Sequence, residues 1–121
     1  MTAPRRIYLD NAATSWPKPE AVYQAVDRFQ RELGAPAGRS TYAEAGEVSR
    51  LIEQARSRVA EILGAANPST IAFCFNGTDA LNAAIHGSLA KGDHVVTSDA
   101  EHNSVLRPLS HLASQGHIRV T

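Results

Sequence analysis

From Thr70 onward the chain alternates apolar extended segments with helical ones, and turn residues mark each change of pattern. Thr70-Ile-Ala-Phe-Cys-Phe75 is a continuous apolar run, the signature of a strand buried on both faces. Asn76-Gly77-Thr78 turns the chain, and Asp79 to Leu89 reads as a helix closed by Lys91 and Gly92. His94-Val-Val-Thr97 is a second short strand, and Ser98 to Ser104 is a polar loop. Val105 to Gln115 is helical up to Gly116, and His117 to Thr121 opens a third strand. Strand, helix, strand, helix, strand over 70–121 specifies a parallel sheet, because parallel neighbours need a crossover and the right-handed one dominates. Pro108 removes a backbone donor within the last helix, which predicts either a kink there or a helix that starts at Pro108 itself.

The first half is helical and polar. Ile7-Tyr-Leu9 is extended and leads into Asp10-Asn-Ala-Ala-Thr-Ser15, a run of small polar residues that reads as a loop. Trp16-Pro-Lys-Pro19 opens a helix at about Glu20, with Val22, Ala25, Val26, Phe29 and Leu33 at helical spacing and Gly34 as its stop. A loop from Ala35 to Ala45 precedes a second helix, from about Glu47 to Leu63, with an apolar stripe through Val48, Leu51, Ile52, Ala55, Val59 and Ile62. The fold class expected is therefore α/β: an N-terminal segment over 1–46, a helix over 47–63, then βαβαβ with parallel strands over 70–121. The 121 residues make one domain at most. Val120-Thr121 stands inside a strand with no cap or covering helix, and three short strands make a meagre sheet. The expectation is the front portion of a larger fold.

Composition removes several classes of function. Twelve basic residues balance twelve acidic ones, so no excess charge draws the chain to nucleic acid or an anionic membrane. No apolar stretch approaches the roughly 20 residues of a bilayer span, and no signal-peptide pattern precedes Ile7, so a cytoplasmic protein is expected. Cys74 is the single cysteine, which forbids an internal disulfide and a Cys-based zinc site. Flanked by Phe73 and Phe75, it reads as an inert core thiol.

Two loops carry candidate chemistry. Phe75-Asn-Gly-Thr-Asp79 joins an apolar segment to a helix whose first amides lack intrahelical partners, so a phosphate suits Gly77 and Thr78. The plainer alternative is a helix-capping turn, and Asp79 would repel a phosphate unless it points away. Asp99-Ala-Glu-His-Asn-Ser104 follows the second strand, on the sheet edge where ligands collect in open α/β folds. His102 could stack on a flat ring or move protons, or be a solvated loop residue. Ser104 beside His102 suggests a Ser–His nucleophile, but no orienting acid is identifiable. His86, His94, His111 and His117 show no metal-ligand spacing, and no metal site is expected.

Taken in order, Tyr8-Leu-Asp-Asn-Ala-Ala-Thr-Ser-Trp-Pro-Lys-Pro19, Gly38-Arg39, Phe75-Asn-Gly-Thr-Asp-Ala-Leu-Asn82, Gly92-Asp-His-Val-Val-Thr97 and Glu101-His-Asn-Ser-Val-Leu-Arg-Pro108 resemble the opening section of a cysteine desulfurase, in the class V aminotransferase group. The resemblance implies an aspartate-aminotransferase-type fold, usually a homodimer, with pyridoxal 5′-phosphate as cofactor and L-cysteine as the small-molecule substrate. It assigns Gly77 and Thr78 to the cofactor phosphate and His102 to ring stacking, with a further acid/base role open to that imidazole. Asn11, Ala12 and Ala13 match the loop lining the substrate pocket, and Arg39 matches a recurrent arginine without an assigned role. Ser40-Thr41-Tyr42 stands where many relatives have a histidine after Gly-Arg.

The family's reaction converts L-cysteine to L-alanine and an enzyme persulfide, through a lysine Schiff base and a mobile-loop cysteine. Lys18 and Lys91 are the chain's two lysines, and neither lies in the family's Ser/Thr-x-His-Lys context. The chain alone is therefore expected to be inactive. An alternative of another class is a non-enzymatic remnant or interaction module that packs through its unfinished sheet. A nucleotide-binding domain on Gly77-Thr78 is disfavoured, since the turn lacks the glycine spacing of such motifs.

Overall fold

The computed structural model describes residues 6–38 and 40–121 and divides into two compact units, Met1–Thr70 and Ile71–Thr121. In the first, α1 (Glu20–Arg28) continues into a π-helical turn over Phe29–Leu33, where the Gly34 amide reaches back to the Phe29 carbonyl at 3.0 Å. Gly34 then takes φ 40°, the left-handed conformation that stops the helix cheaply only at glycine. Helix α2 spans Ala43–Leu63, starting four residues before the expected Glu47. Ala43-Glu-Ala45 are strong helix formers, and Ala45 is buried, so propensity and burial both extend the helix backwards. Val48 and Ala60 are buried on the same helix, while Phe29 and Leu33 share a concavity with Leu51. Ser49 Oγ accepts the Gly38 amide at 3.2 Å and donates to the Ala45 carbonyl at 2.9 Å, tying the preceding loop to α2.

The second unit is two helices over a minimal sheet. Helix α3 (Gly77–Ser88) precedes β1 (His94–Val95), and α4 (Asn103–Ser114) joins β1 to β2 (Arg119–Val120). The strands are parallel, with His94 opposite Arg119 and Val95 opposite Val120. Asp93 and Val95 carbonyls accept the Arg119 and Thr121 amides, each at 2.9 Å. Leu109, Leu112 and Ile118 form the buried core, and Ile85, Leu89, Val95, Val105 and Ala113 pack on it. The alternation of helix and strand expected over this half is present, with each helix displaced about two residues toward the N-terminus.

Three expectations differ from what is observed. Residues 71–74 carry no regular element, and among the described residues the sheet has two strands rather than three. A central strand is buried only where neighbours cover both its faces. Here Phe73 is 54% and Phe75 94% exposed. Cys74 is exposed for the same reason, so it is not a core thiol. Of the two readings of Pro108, a helix that starts there is not what is found. Pro108 lies inside the helix and is buried, and it removes only the amide that the Ser104 carbonyl would have accepted.

Burial predicts where stability resides. Leu109→Ala is expected to lower unfolding stability by about 2 to 5 kcal/mol through the cavity it opens. Ile62→Ala, at a position 83% exposed, should change it by roughly 0.5 kcal/mol or less. Urea denaturation of the two variants beside the parent chain measures both.

Candidate functional site

The N-terminus of α3 is built by a reciprocal cap. Asn76 has extended backbone, and its Oδ1 accepts the Asp79 amide at 2.9 Å. Asp79 Oδ2 in turn accepts the Phe75 amide at 3.1 Å, a capping box displaced by one residue. The carboxylate that would have opposed an anion is thereby turned back onto Phe75. Among the described residues the amides of Gly77 and Thr78, the first two of the helix, have no protein acceptor. Gly77 is not forced by its backbone: its φ is not positive, and a Cβ built there meets nothing within 4 Å. The missing side chain leaves open space over two free amides.

The N-terminus of α4 is capped by His102 itself. Its Nδ1 accepts the Ser104 amide at 3.1 Å, and its carbonyl accepts the Val105 and Leu106 amides at 2.8 and 3.2 Å. Ser104 Oγ lies 2.7 Å from that Nδ1 and 2.8 Å from Thr78 Oγ1, at 5% exposure. Thr78 and His102, from separate loops, are thus joined through one buried hydroxyl. Both line a concavity of about 500 Å³ with Asn82, His86, Arg107 and His111. Among the described residues no carboxylate lines it. Two helix N-termini and the Arg107 guanidinium give it positive potential, which suits an anionic ligand with a flat apolar part.

The other candidates are placed as follows. Asn11, Ala12 and Ala13 form an exposed turn in the first unit. Asn11 Oδ1 accepts the Trp16 amide at 3.2 Å, and the Tyr8 hydroxyl donates to the carbonyls of Asp10 and Thr14. Trp16 packs edge-on against Tyr8, with the Arg6 guanidinium 4.8 Å from its ring centre. One face of Asn11 therefore holds the loop. Arg39 lies outside the described residues. Two of the scattered histidines, His86 and His111, share the concavity with His102. Among the described residues no group of three His, Cys, Asp or Glu side chains is arranged to hold a metal. Asn82, Arg107 and the bridging role of Ser104 were not singled out from sequence. The usable signal was periodic: Thr78, Asn82 and His86 are successive i, i+4 positions on α3, as Arg107 and His111 are on α4.

Comparison with known proteins gives the family. The sequence model of the family Aminotransferase class-V matches residues 7–121, and the chain belongs to that family. Within it, the similar proteins are cysteine desulfurases. The chain is 38% identical over 117 residues to the cysteine desulfurase IscS of Dictyoglomus turgidum, covering 93% of this chain and 29% of that protein. It is 35% identical over 118 residues to the cysteine desulfurase CsdA of Escherichia coli, with 94% and 29% covered. The apo cysteine desulfurase of Thermococcus onnurineus superposes with a TM-score of 0.81 at 30% identity, covering 95% of this chain and 29% of that one. The chain thus spans less than a third of the length of these relatives, with the fold of that portion. Among the described residues no helix is long and apolar enough to cross a membrane.

The cap makes a local prediction. Asn76→Ala should cost about 1 kcal/mol and release the Asp79 amide to solvent. Hydrogen exchange at Asp79 is expected to accelerate while exchange at Leu112 changes only with global stability.

Proposed function

We propose that this chain supplies the phosphate-gripping and ring-facing part of a pyridoxal 5′-phosphate site in a cysteine desulfurase, acting on L-cysteine in a homodimeric cytoplasmic enzyme. The observation that carries this reading is the Thr78–Ser104–His102 hydrogen-bond chain. It joins the start of α3 at Thr78 to an imidazole on one concavity, which no carboxylate lines among the described residues. The donor set fits the cofactor: amides and a positive helix end for a phosphate dianion, an imidazole face for a pyridine ring, and open space over Gly77. When bound, that cofactor supplies an electron sink for bond cleavage in an amino acid.

The chain's own residues bind and orient. Gly77 and Thr78 donate amides to the phosphate without local rearrangement, because capping has already fixed the helix start. His102 is restrained at Nδ1, so its ring plane is set before any ligand arrives. For Asn11, Ala12 and Ala13 the proposed substrate role rests on the family resemblance alone. The lysines support a binding rather than a covalent role. Lys18 Nζ donates to the Ser15 carbonyl at 2.9 Å. Lys91 follows the far end of the 12-residue α3, about 18 Å along the axis from Gly77.

Titration of pyridoxal 5′-phosphate into the chain tests the reading. Saturable shifts are expected at the Gly77 and Thr78 amides and not at Lys91. Gly77→Ala should leave the unfolding midpoint at or above the parent's, since alanine is the better helix former. The same change should weaken the cofactor about tenfold, a loss of about 1.4 kcal/mol. Equal affinity in that variant would remove phosphate binding from this helix start. The chain with added pyridoxal 5′-phosphate is expected to release no sulfide from L-cysteine, and measurable release would show that these residues carry covalent chemistry after all.

A further inference from the structure

We infer that Ser104 is a positioning residue: its hydroxyl fixes His102 as the tautomer protonated at Nε2 and couples that imidazole to the Thr78 hydroxyl. The protons can be assigned from donors alone. A backbone amide can only donate, so the Ser104 amide at 3.1 Å makes His102 Nδ1 an acceptor, and the neutral ring carries its proton on Nε2. Ser104 Oγ lies 2.7 Å from the same nitrogen. At that separation two lone pairs would oppose each other, so the serine hydroxyl donates to Nδ1. Its proton is then committed, and the 2.8 Å contact to Thr78 is made by the threonine hydroxyl donating to Ser104 Oγ.

The order is therefore Thr78 to Ser104 to His102, with all donation running toward the imidazole. Ser104 is 5% exposed, so water does not readily replace either bond, and a buried hydroxyl left unpaired would cost stability. Two consequences follow. The threonine contributes its amide rather than its hydroxyl proton to a bound phosphate. Drawing that hydroxyl toward an anion would also weaken donation to His102, since hydrogen bonds in a chain reinforce one another. Ser104 thus links the anion-binding helix start to the ring-facing residue, a role that takes its purpose from the cofactor reading but exists without any cofactor.

The test is nitrogen NMR of the chain labelled at histidine, at alkaline pH and with no cofactor present. His102 is expected as the Nε2–H form. Thr78→Val should move the Nδ1 resonance toward that of an unbonded imine nitrogen. The same change in a Ser104→Ala background should leave Nδ1 where Ser104→Ala alone puts it, and Ser104→Thr, which keeps the hydroxyl, should restore the response. A merely structural serine would restore stability without restoring that response. A proton on Nδ1 in the parent chain overturns the assignment, as does a Thr78→Val effect that is equal in both backgrounds or absent from both. Should Ser104→Ala fail to fold, the parent tautomer, Thr78→Val and Ser104→Thr still decide. Failure here with intact shifts at Gly77 and Thr78 on cofactor titration would sink Ser104 alone. The reverse pattern would sink the cofactor reading and leave the coupling standing.

Discussion

The side-by-side docking of α3 on α4 is the constraint on which the second unit depends. Ile85 and Leu89 rest against the cluster of Leu109, Leu112 and Ile118, while Thr78 touches Ser104 at the other end. Apolar contact between the C-terminal halves thus brings the two N-termini together. That alignment is inherent in a sheet with parallel strands, where each helix returns the chain to the same edge. Two positive dipole ends then lie side by side, with the unpaired amides of Gly77 and Thr78 at one of them and the α4 start closed by His102.

The polar contacts at that edge are economical because each residue serves twice. Asn76 caps α3 and, by accepting the Asp79 amide, leaves Gly77 and Thr78 as the unclaimed donors. Asp79 secures the preceding backbone at Phe75, which also removes its charge from the opening. His102 caps α4 through Nδ1 and still offers Nε2 and both ring faces. Such pairing of structural and ligand-facing duties means that local order at the helix starts is also preorganisation of the site. Substitutions there act on stability and binding together, apart from Gly77, whose side-chain hydrogen meets nothing in the chain.

Sequence made the local elements legible and the collective ones less so. The glycines at 34 and 116 were read as stops, and each takes a positive φ next to a helix end. Gly92, also read as a stop, takes its positive φ beyond the loop that follows α3 at Ser88. The turn–helix joint at 75–79 and the loop at 99–104 stood out because turn chemistry and orphan amides are properties of a few neighbouring residues. Segment 71–75 was misread as a buried strand, since its apolar run reports what it could bury and not what covers it. Cys74 followed the same error. The start of α2 was placed late because the loop was carried through Ala45, yet Ala45 is buried and the helix already includes it. Ser104 was considered only as a nucleophile, because nothing in its neighbours announces a threonine 26 residues away.

The division of labour within the site follows from what these groups can do. Amides, a hydroxyl chain and a restrained imidazole hold an anion and a flat ring, but none of them forms a carbon–nitrogen bond or carries sulfur. Cys74 lies just before the Asn76 cap and is exposed, so accessibility alone might have suggested a sulfur carrier. A reactive thiol also needs an environment that favours thiolate, which exposure does not by itself supply. On the proposed reading, what this portion of the fold contributes is therefore placement: a helix start for a phosphate, an imidazole for a ring, and a buried hydroxyl joined to both.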